Sequence, residues 1–289
     1  MTIIRIAAVG LAAVLVLAGC SGADGEAAPG PIPPQEGELE ALSYNVAGLP
    51  EGLSGSHPEA YMPLISPLLN SYDLVLAQED FVYHEELSQD AEHPYQSVPK
   101  QDYVQLVHDG LNRFSQFPWT QLVRVQWVAC YGGVDTGASD CMAEKGFSLA
   151  RTTFGDRITF DVYNHHAEAG GGPEDVEARV AGYEQFAAYI QEHSAGNVVL
   201  VGGDTNLHGD DPDDRPVLDQ FLAATGLTDA CAALDCGDED RIDRFFFRSN
   251  DLVELEPVTW QIADEFVDSD GNDLSDHLAI HVRFAWRTR

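Results

Sequence analysis

Nearly continuous apolar runs and one-sided apolar stripes take turns along most of this chain. Asp73-Leu74-Val75-Leu76-Ala77-Gln78-Glu79 is apolar at most positions, which predicts a strand buried on both faces that delivers Glu79 at its end. Asn197-Val198-Val199-Leu200-Val201-Gly202-Gly203-Asp204 has the same character, with two glycines at its exit. Leu42-Ser43-Tyr44-Asn45-Val46 reads as a first strand, broken into a loop by Ala47-Gly48-Leu49-Pro50. Tyr103–Val107, Arg157–Asn164, Arg241–Arg248 and Leu278–Trp286 are further strand candidates, with residues 108–113 as a loop and Gln121–Cys130 and Gly146–Thr153 framing an expected disulfide loop. Pro173–His193 is the clearest helix. Pro173, Glu174 and Asp175 favour its start, and Val176, Val180, Tyr183, Ala187 and Ile190 share one face. Pro58–Leu69 predicts a helix burying Tyr61, Leu64, Ile65, Leu68 and Leu69, although Pro63 and Pro67 weaken it. A shorter helix is expected over Val217–Ala224. Strands alternating with helices indicate an α/β layered domain.

The first residues follow another pattern. Met1–Arg5 carries one positive charge, and Ile6–Ala18 is an apolar run too short to span a bilayer comfortably, the form of an export signal. It ends in Leu17-Ala18-Gly19-Cys20, which resembles a bacterial lipobox. The resemblance implies a signal peptide over 1–19, cleavage before Cys20 and lipid attachment there, anchoring the chain to the outer face of a bacterial membrane. Gly22–Glu38, rich in Gly, Pro, Ala and Glu, reads as an extended tether, so that 20–38 forms a lipid-anchored linker. Residues 39–289 are expected to form one α/β domain, with a monomer as the expected state.

Four cysteines remain beyond Cys20: Cys130, Cys141, Cys231 and Cys236. An even number in an exported chain suggests two disulfides, and local pairing, Cys130–Cys141 and Cys231–Cys236, is the simplest of the three connectivities. A zinc site is the competing reading, disfavoured because the spacings form no paired C-x-x-C pattern. The formal charge of −33 at pH 7 is the most discriminating bulk property. Nucleic-acid binding draws much of its affinity from Lys and Arg displacing counterions on phosphates. Here the lysines are Lys100 and Lys145 alone and the arginines are scattered, which disfavours a nucleic-acid partner.

Several polar groups occupy equivalent places, at the ends of buried strands or in the loops after them: Asn45, Glu79, Asn164-His165-His166, Asp204-Thr205-Asn206, Asp243 and Asp276-His277. Mg²⁺ takes oxygen ligands and keeps several waters, so one or two carboxylates plus a substrate phosphate suffice to hold it. Such an ion polarises a phosphoryl oxygen, and two imidazoles supply the proton traffic, one of them oriented by a carboxylate. Asp210, Asp211, Asp213 and Asp214, and the group Asp268, Asp270 and Asn272, read instead as solvated acidic loops. Lys145 suits either a substrate phosphate or a structural role. Phe114, Phe117, Pro118 and Trp119 suit either a membrane interface or the core.

Six segments, in this order, resemble the endonuclease/exonuclease/phosphatase superfamily, which shares the pancreatic deoxyribonuclease fold. They are Tyr44-Asn45-Val46, Leu76-Ala77-Gln78-Glu79, Tyr163-Asn164-His165-His166, Val201-Gly202-Gly203-Asp204-Thr205-Asn206, Arg241-Ile242-Asp243-Arg244 and Leu274-Ser275-Asp276-His277. The resemblance implies a four-layer α/β sandwich with two central β-sheets flanked by helices. It also implies roles. Glu79 is the principal metal ligand, with Asn45 beside it and Asp276 near the metal. Asp204 orients the attacking water or helps bind the ion, and Asn206 holds a phosphate oxygen. His277, oriented by Asp243, is the general base. His166, and not its neighbour His165, stabilises the transition state or protonates the leaving oxygen. The implied ion is Mg²⁺, with Mn²⁺ or Ca²⁺ as alternatives. Arg244 departs from the family, which more often has an aromatic residue after the aspartate.

Fold does not settle substrate in this superfamily, which includes nucleases, inositol-phosphate phosphatases and neutral sphingomyelinases. The expected anchor, the absence of basic patches, and the segments Asn45–Pro50 and Asp109-Gly110-Leu111, which look like those of bacterial sphingomyelinase- and phospholipase C-type members, favour a phospholipid head group. An extracellular Mg²⁺-dependent nuclease is the alternative enzyme. A surface binding protein on a catalytically decayed scaffold is the alternative of another class.

Overall fold

A computed structural model describes residues 33–134, 136–238 and 240–289. The expected signal peptide, the expected anchor at Cys20 and most of the expected tether lie outside the described residues. Two parallel strand pairs set the architecture. β1 (Glu36–Asn45) runs parallel to β2 (Leu74–Gln78), with Asn45 opposite Gln78. β7 (Ile158–His166) runs parallel to β8 (Val198–Asp204), with His166 opposite Asp204. Parallel neighbours need a crossover, and α1 (Pro58–Leu68) and α3 (Pro173–His193) provide them. Each pair therefore carries its polar residues to the same, C-terminal end of its strands.

Antiparallel strands complete two six-stranded sheets among the described residues. The first has the order β11 (Val253–Ile262), β12 (Ile280–Thr288), β1, β2, β4 (Asn112–Ser115), β3 (Tyr95–Gln96). The second has the order β5 (Trp119–Gln126), β6 (Gly146–Gly155), β7, β8, β10 (Asp243–Arg248), β9 (Thr228–Asp229). The short helices are α2 (His84–Ser88) and α5 (Ala230–Ala233), with α4 (Asp214–Thr225) after β8. Met62 and Ile65 of α1 pack on Leu42, Tyr44, Val75 and Ala77 of the first sheet. Phe186 and Ile190 of α3, with Leu218 and Phe221 of α4, pack on Tyr163, Val199 and Val201 of the second. The result is the expected four-layer sandwich of the pancreatic deoxyribonuclease type.

Period-two alternation decides what lies between the sheets. Tyr44 and Tyr163 point to the helices, so Asn45 and Asn164 point to the opposite sheet. The sheets approach closely at Gly202, where an added Cβ would lie 2.7 Å from side-chain atoms of Leu76 and Phe245. Toward the site the layer becomes polar. Asn164 accepts from Gln78 at 2.7 Å and donates to the carbonyls of Ala77 and Asn112. Arg113 crosses from β4 to the second sheet, donating to the Val162 carbonyl at 3.1 Å and the Ser148 hydroxyl at 2.7 Å. Its side chain is fully buried, and burial together with Arg124 lowers its affinity for the proton. Arg113→Ala removes a large buried side chain and orphans its acceptors. It is expected to cost about 3–5 kcal/mol, read as a lowered urea midpoint with an unchanged slope.

The structure corrects several sequence expectations. Tyr103–Val107 forms no strand: only Val107 makes an isolated bridge, to Ala143, because the neighbouring side chains have no sheet to pack on. Asn112–Ser115 is a strand that starts inside the expected loop 108–113. β1 starts at Glu36, inside the stretch read as tether, and pairs with Arg287. β11 was not foreseen. Its Pro257 is tolerated because the strand lies at a sheet edge and bulges there. Asp214 is not a solvated acid but buried, accepting from Arg179 of α3 at 2.6 Å. Phe114 is fully buried in the core under α1, and Phe117 packs on Phe154. Both local disulfides, Cys130–Cys141 and Cys231–Cys236, are formed.

Candidate active site

The polar strand ends converge on one cluster. Asn45, the last residue of β1, donates from Nδ2 to Glu79 Oε1 and to Asp204 Oδ2, both at 3.1 Å, and its Oδ1 accepts from the Ala47 amide. Asp204 closes β8, and its Oδ2 lies 3.3 Å from His166 Nε2 and 3.8 Å from His277 Nε2. His277 Nδ1 meets Asp243 Oδ2, from the first residue of β10, at 2.8 Å. Asn206 donates its backbone N–H to Asp204 Oδ1 and its amide to the Ala167 carbonyl. The six segments thus deliver seven side chains to one place: Asn45, Glu79, His166, Asp204, Asn206, Asp243 and His277.

Two backbone conformations aim this set. Glu79 and Asn206 sit at φ +54° and +46°, the left-handed region that L-residues seldom adopt. Such strain persists only where the surroundings over-determine it. At Glu79 those surroundings include Gly110 (φ +65°), where an added Cβ would meet the Phe81 ring at 2.5 Å and the Glu79 Cα at 3.0 Å. The turn out of β2 therefore lifts the Glu79 carboxylate to the mouth, where its side chain is 20% exposed, while Asp204 stays at 2%.

Electrostatics divide the two candidate histidines. Burial works against a proton on His277, but Asp204 and Asp243 outweigh it and push its pKa up to about 10. His166 is the reverse case. Burial, with Lys145 and His277 nearby, holds it well below the usual histidine value, so it is neutral. Its neighbour His165 points the other way along the pleat. It hydrogen-bonds the Gly202 carbonyl at 3.2 Å among Tyr183 and Phe186, and burial lowers it to about 4.

Glu79 and Asp204 are both pushed up from the carboxylate range, chiefly by burial. The cluster therefore holds more negative charge than its own cations comfortably offset, and the Asp243 Oδ1 atom is buried without a partner. These donors fit a divalent, oxygen-seeking ion. Donor atoms of Asp204, Asp243 and His277 also lie within 4.8 Å of one another. Because His277 and Asp243 already satisfy each other, the oxygen-rich Glu79–Asp204 side suits Mg²⁺ better. Asn45 offers its amide nitrogen to both carboxylates and bridges them. Asp276 stays outside the hydrogen-bonded cluster. It is exposed, with Oδ1 3.5 Å from Ser275 Oγ, and it adds negative potential at His277.

Sequence reasoning left Lys145 open and gave no role to Asp140 or Ser275. Lys145 is buried with Nζ 2.5 Å from Asp140 Oδ1. Burial opposes its charge, but Asp140 and Glu79 hold its pKa above the usual lysine value. It thus ties the loop closed by Cys130–Cys141 to the cluster. Ser275 donates to the Asn45 carbonyl at 2.7 Å and so fixes the approach of the His277 segment to β1.

No family model matches the chain. It is 34% identical over 270 residues to proteins named sphingomyelinase from Mycobacterium tuberculosis and Mycobacterium bovis, covering 86% of this chain and 53% of theirs. The chain therefore spans about half the length of these relatives. Among solved structures it superposes on beta toxin from Staphylococcus aureus, crystallised with bound magnesium ions, with TM-score 0.63 and 16% identity over 85% of this chain and 99% of that one. It also superposes on D. rerio TDP2 complexed with a single-strand DNA product, with TM-score 0.60 and 17% identity over 86% and 98%. The two structural matches establish a shared fold.

Proposed function

Since the chain belongs to the endonuclease/exonuclease/phosphatase superfamily, we propose that it is a Mg²⁺-dependent phosphodiesterase that cleaves a phospholipid head group, as a sphingomyelinase C does. The observation that carries this reading is the line Asp243–His277–Asp204 ending beside the Glu79 carboxylate. It joins a carboxylate-oriented imidazole to an oxygen-rich cation site. The mycobacterial relatives are named sphingomyelinases, and the beta toxin that shares the fold binds magnesium. Both point the site toward the same chemistry.

Glu79 and Asp204 would hold the ion, and Asn45 keeps the two carboxylates in register. When bound, Mg²⁺ supplies charge stabilisation at a phosphoryl oxygen and offsets the surplus negative charge of the cluster. Asp204 orients the attacking water toward phosphorus. His277 Nε2 takes the water proton, and Asp243 at Nδ1 steadies the imidazolium that results. Asn206 steadies a phosphate oxygen through its amide. As the bond from phosphorus to the leaving alkoxide oxygen breaks, His166, neutral and donating from Nε2, strengthens its contact with the phosphoryl group, and the proton taken by His277 passes through solvent to the released alkoxide.

A panel of substrates tests the proposal. The protein is expected to release phosphocholine from sphingomyelin with Mg²⁺ and to stop when EDTA is added. Equal or faster cleavage of plasmid DNA under the same conditions would instead favour the nuclease. The acidic body speaks against that outcome, because a polyanion gains little at a surface of charge −33. Absence of turnover on every phosphoester, with ligand affinity unchanged in His277→Ala, would leave a binding protein.

A further inference from the structure

The negative charge of this chain is unevenly spread. Between Pro94 and Val134 the acids are Asp102 and Asp109, set against Lys100, Arg113 and Arg124. Asp109 is further neutralised by Arg124, whose Nη1 lies 2.7 Å from Oδ1. This near-neutral stretch also carries much of the exposed aliphatic surface. Val104 is 88% exposed, Val98 and Val134 72%, and Leu106 63%. Tyr103 joins them at 42%, and Val82 is half exposed on the segment that leaves Glu79.

These side chains do not face water because their loop is loose. Val104 N–H donates to Glu144 Oε1 at 2.8 Å, and Leu106 N–H to the Met142 carbonyl at 2.9 Å. The Tyr103 ring packs edge-on against His108 at 5.6 Å, and His108 Nε2 bonds the Phe81 carbonyl at 2.8 Å. Phe81 N–H in turn donates to the Glu79 carbonyl at 2.8 Å. The loop is therefore strapped between the segment that lifts Glu79 and the segment that carries Lys145. It forms part of the rim of the candidate site.

We propose that this rim, residues 98–106 with Val82 and Val134, is the face by which the protein seats itself on a zwitterionic lipid bilayer. Exposed aliphatic side chains on a loop strapped to the segment that lifts Glu79 mark an interaction surface. Aliphatic tips with a tyrosine suit shallow insertion at the headgroup level. Charge selects the lipid. The acidic body is repelled by an anionic leaflet, whereas a zwitterionic surface lets the near-neutral stretch approach. The purpose of the rim rests on the phospholipid reading above, since it would hold the Glu79 mouth against its substrate. The binding itself is measurable without turnover.

The test uses the chain from Ser21 onward, so that neither the apolar leader nor an acyl chain contributes, carrying His277→Ala, so that no lipid is consumed. Co-sedimentation with vesicles of phosphatidylcholine and sphingomyelin is expected, with little dependence on salt. Adding Val104→Asp with Leu106→Asp is expected to lower the partition coefficient at least tenfold. With His277 restored, the same pair of changes is expected to leave hydrolysis of soluble bis(4-nitrophenyl) phosphate within twofold of the parent. Both substituted residues are exposed, so the fold is retained. Vesicle binding unchanged by the double substitution, or absent from the parent, would overturn the proposal. So would a parent dimer, by light scattering, that the substitutions convert to a monomer, because the rim would then cover a second copy. Failure of the phosphodiesterase reading gives a different result: vesicle binding with no turnover of any phosphoester.

Discussion

His277→Ala is expected to lower kcat by about 10³–10⁴-fold on any phosphodiester the protein turns over, with KM changed far less. The imidazole is the one group in the cluster with a carboxylate on each side, Asp243 at 2.8 Å from Nδ1 and Asp204 at 3.8 Å from Nε2. Its pKa of about 10 without metal means that the resting imidazole carries a proton. A base must first lose that proton. A cation at Glu79 and Asp204 disfavours the imidazolium and so lowers this pKa. The acidic limb of the pH–rate profile is therefore expected to move to lower pH as Mg²⁺ is raised. A limb that stays fixed across a hundredfold range of Mg²⁺ would separate His277 from the ion. Asp243→Asn is the companion change. It keeps the shape but removes the charge that steadies the imidazolium, and it too is expected to lower kcat by two orders of magnitude or more.

Glu79→Gln is expected to lower Mg²⁺-dependent turnover by about 10³-fold while making the metal-free protein more stable by about 1–2 kcal/mol. The opposite signs have one cause. Glu79 is held in a partly desolvated place beside Asp204, and its folded pKa is raised, chiefly by burial. Between the unfolded and folded pKa values the folded chain binds the additional proton. This contribution to stability therefore grows as pH falls through the folded pKa, and it is a penalty at neutral pH. Glutamine removes the penalty and, with it, the charge that would hold the ion. Thermal unfolding in EDTA and in Mg²⁺ checks both halves: the parent gains stability from Mg²⁺, and the variant gains almost none. A variant with undiminished Mg²⁺ stabilisation would remove Glu79 from the metal site.

Most of the elements were legible in the sequence. The helix Pro173–His193 has the bounds its composition predicts, and the apolar run before Glu79 and the run ending at Asp204 are the strands β2 and β8. Their signals are local: a proline and two acids opening a helix, and an unbroken apolar run that only a two-sided burial can satisfy. What failed was not local. β11 alternates Val253-Glu254-Leu255-Glu256 like a half-buried strand yet was not foreseen, and its Pro257 fits a strand only because the sheet order puts it at an edge. Asp214 belongs by composition to a solvated acidic loop. It is buried because Arg179, one helix away, reaches it.

The same division runs through the site. The sequence by itself determined the inventory: carboxylates, amides and imidazoles at strand ends, four cysteines beyond Cys20, and an acidity that disfavours polyanions. It determined this much because strand termini and charge are properties of short stretches. Tertiary structure alone decided which of these groups meet. Parallel pairing of β1 with β2 and of β7 with β8 brings Asn45 beside Glu79 and His166 beside Asp204, and the stacking of the two sheets joins the pairs through the Asn45 amide. The approach of β10 to the turn before β12 then sets His277 on Asp243 and leaves Asp276 facing solvent. Those contacts span up to 159 residues of chain, and the energy that selects them is the burial of the sheet faces, which no local segment carries.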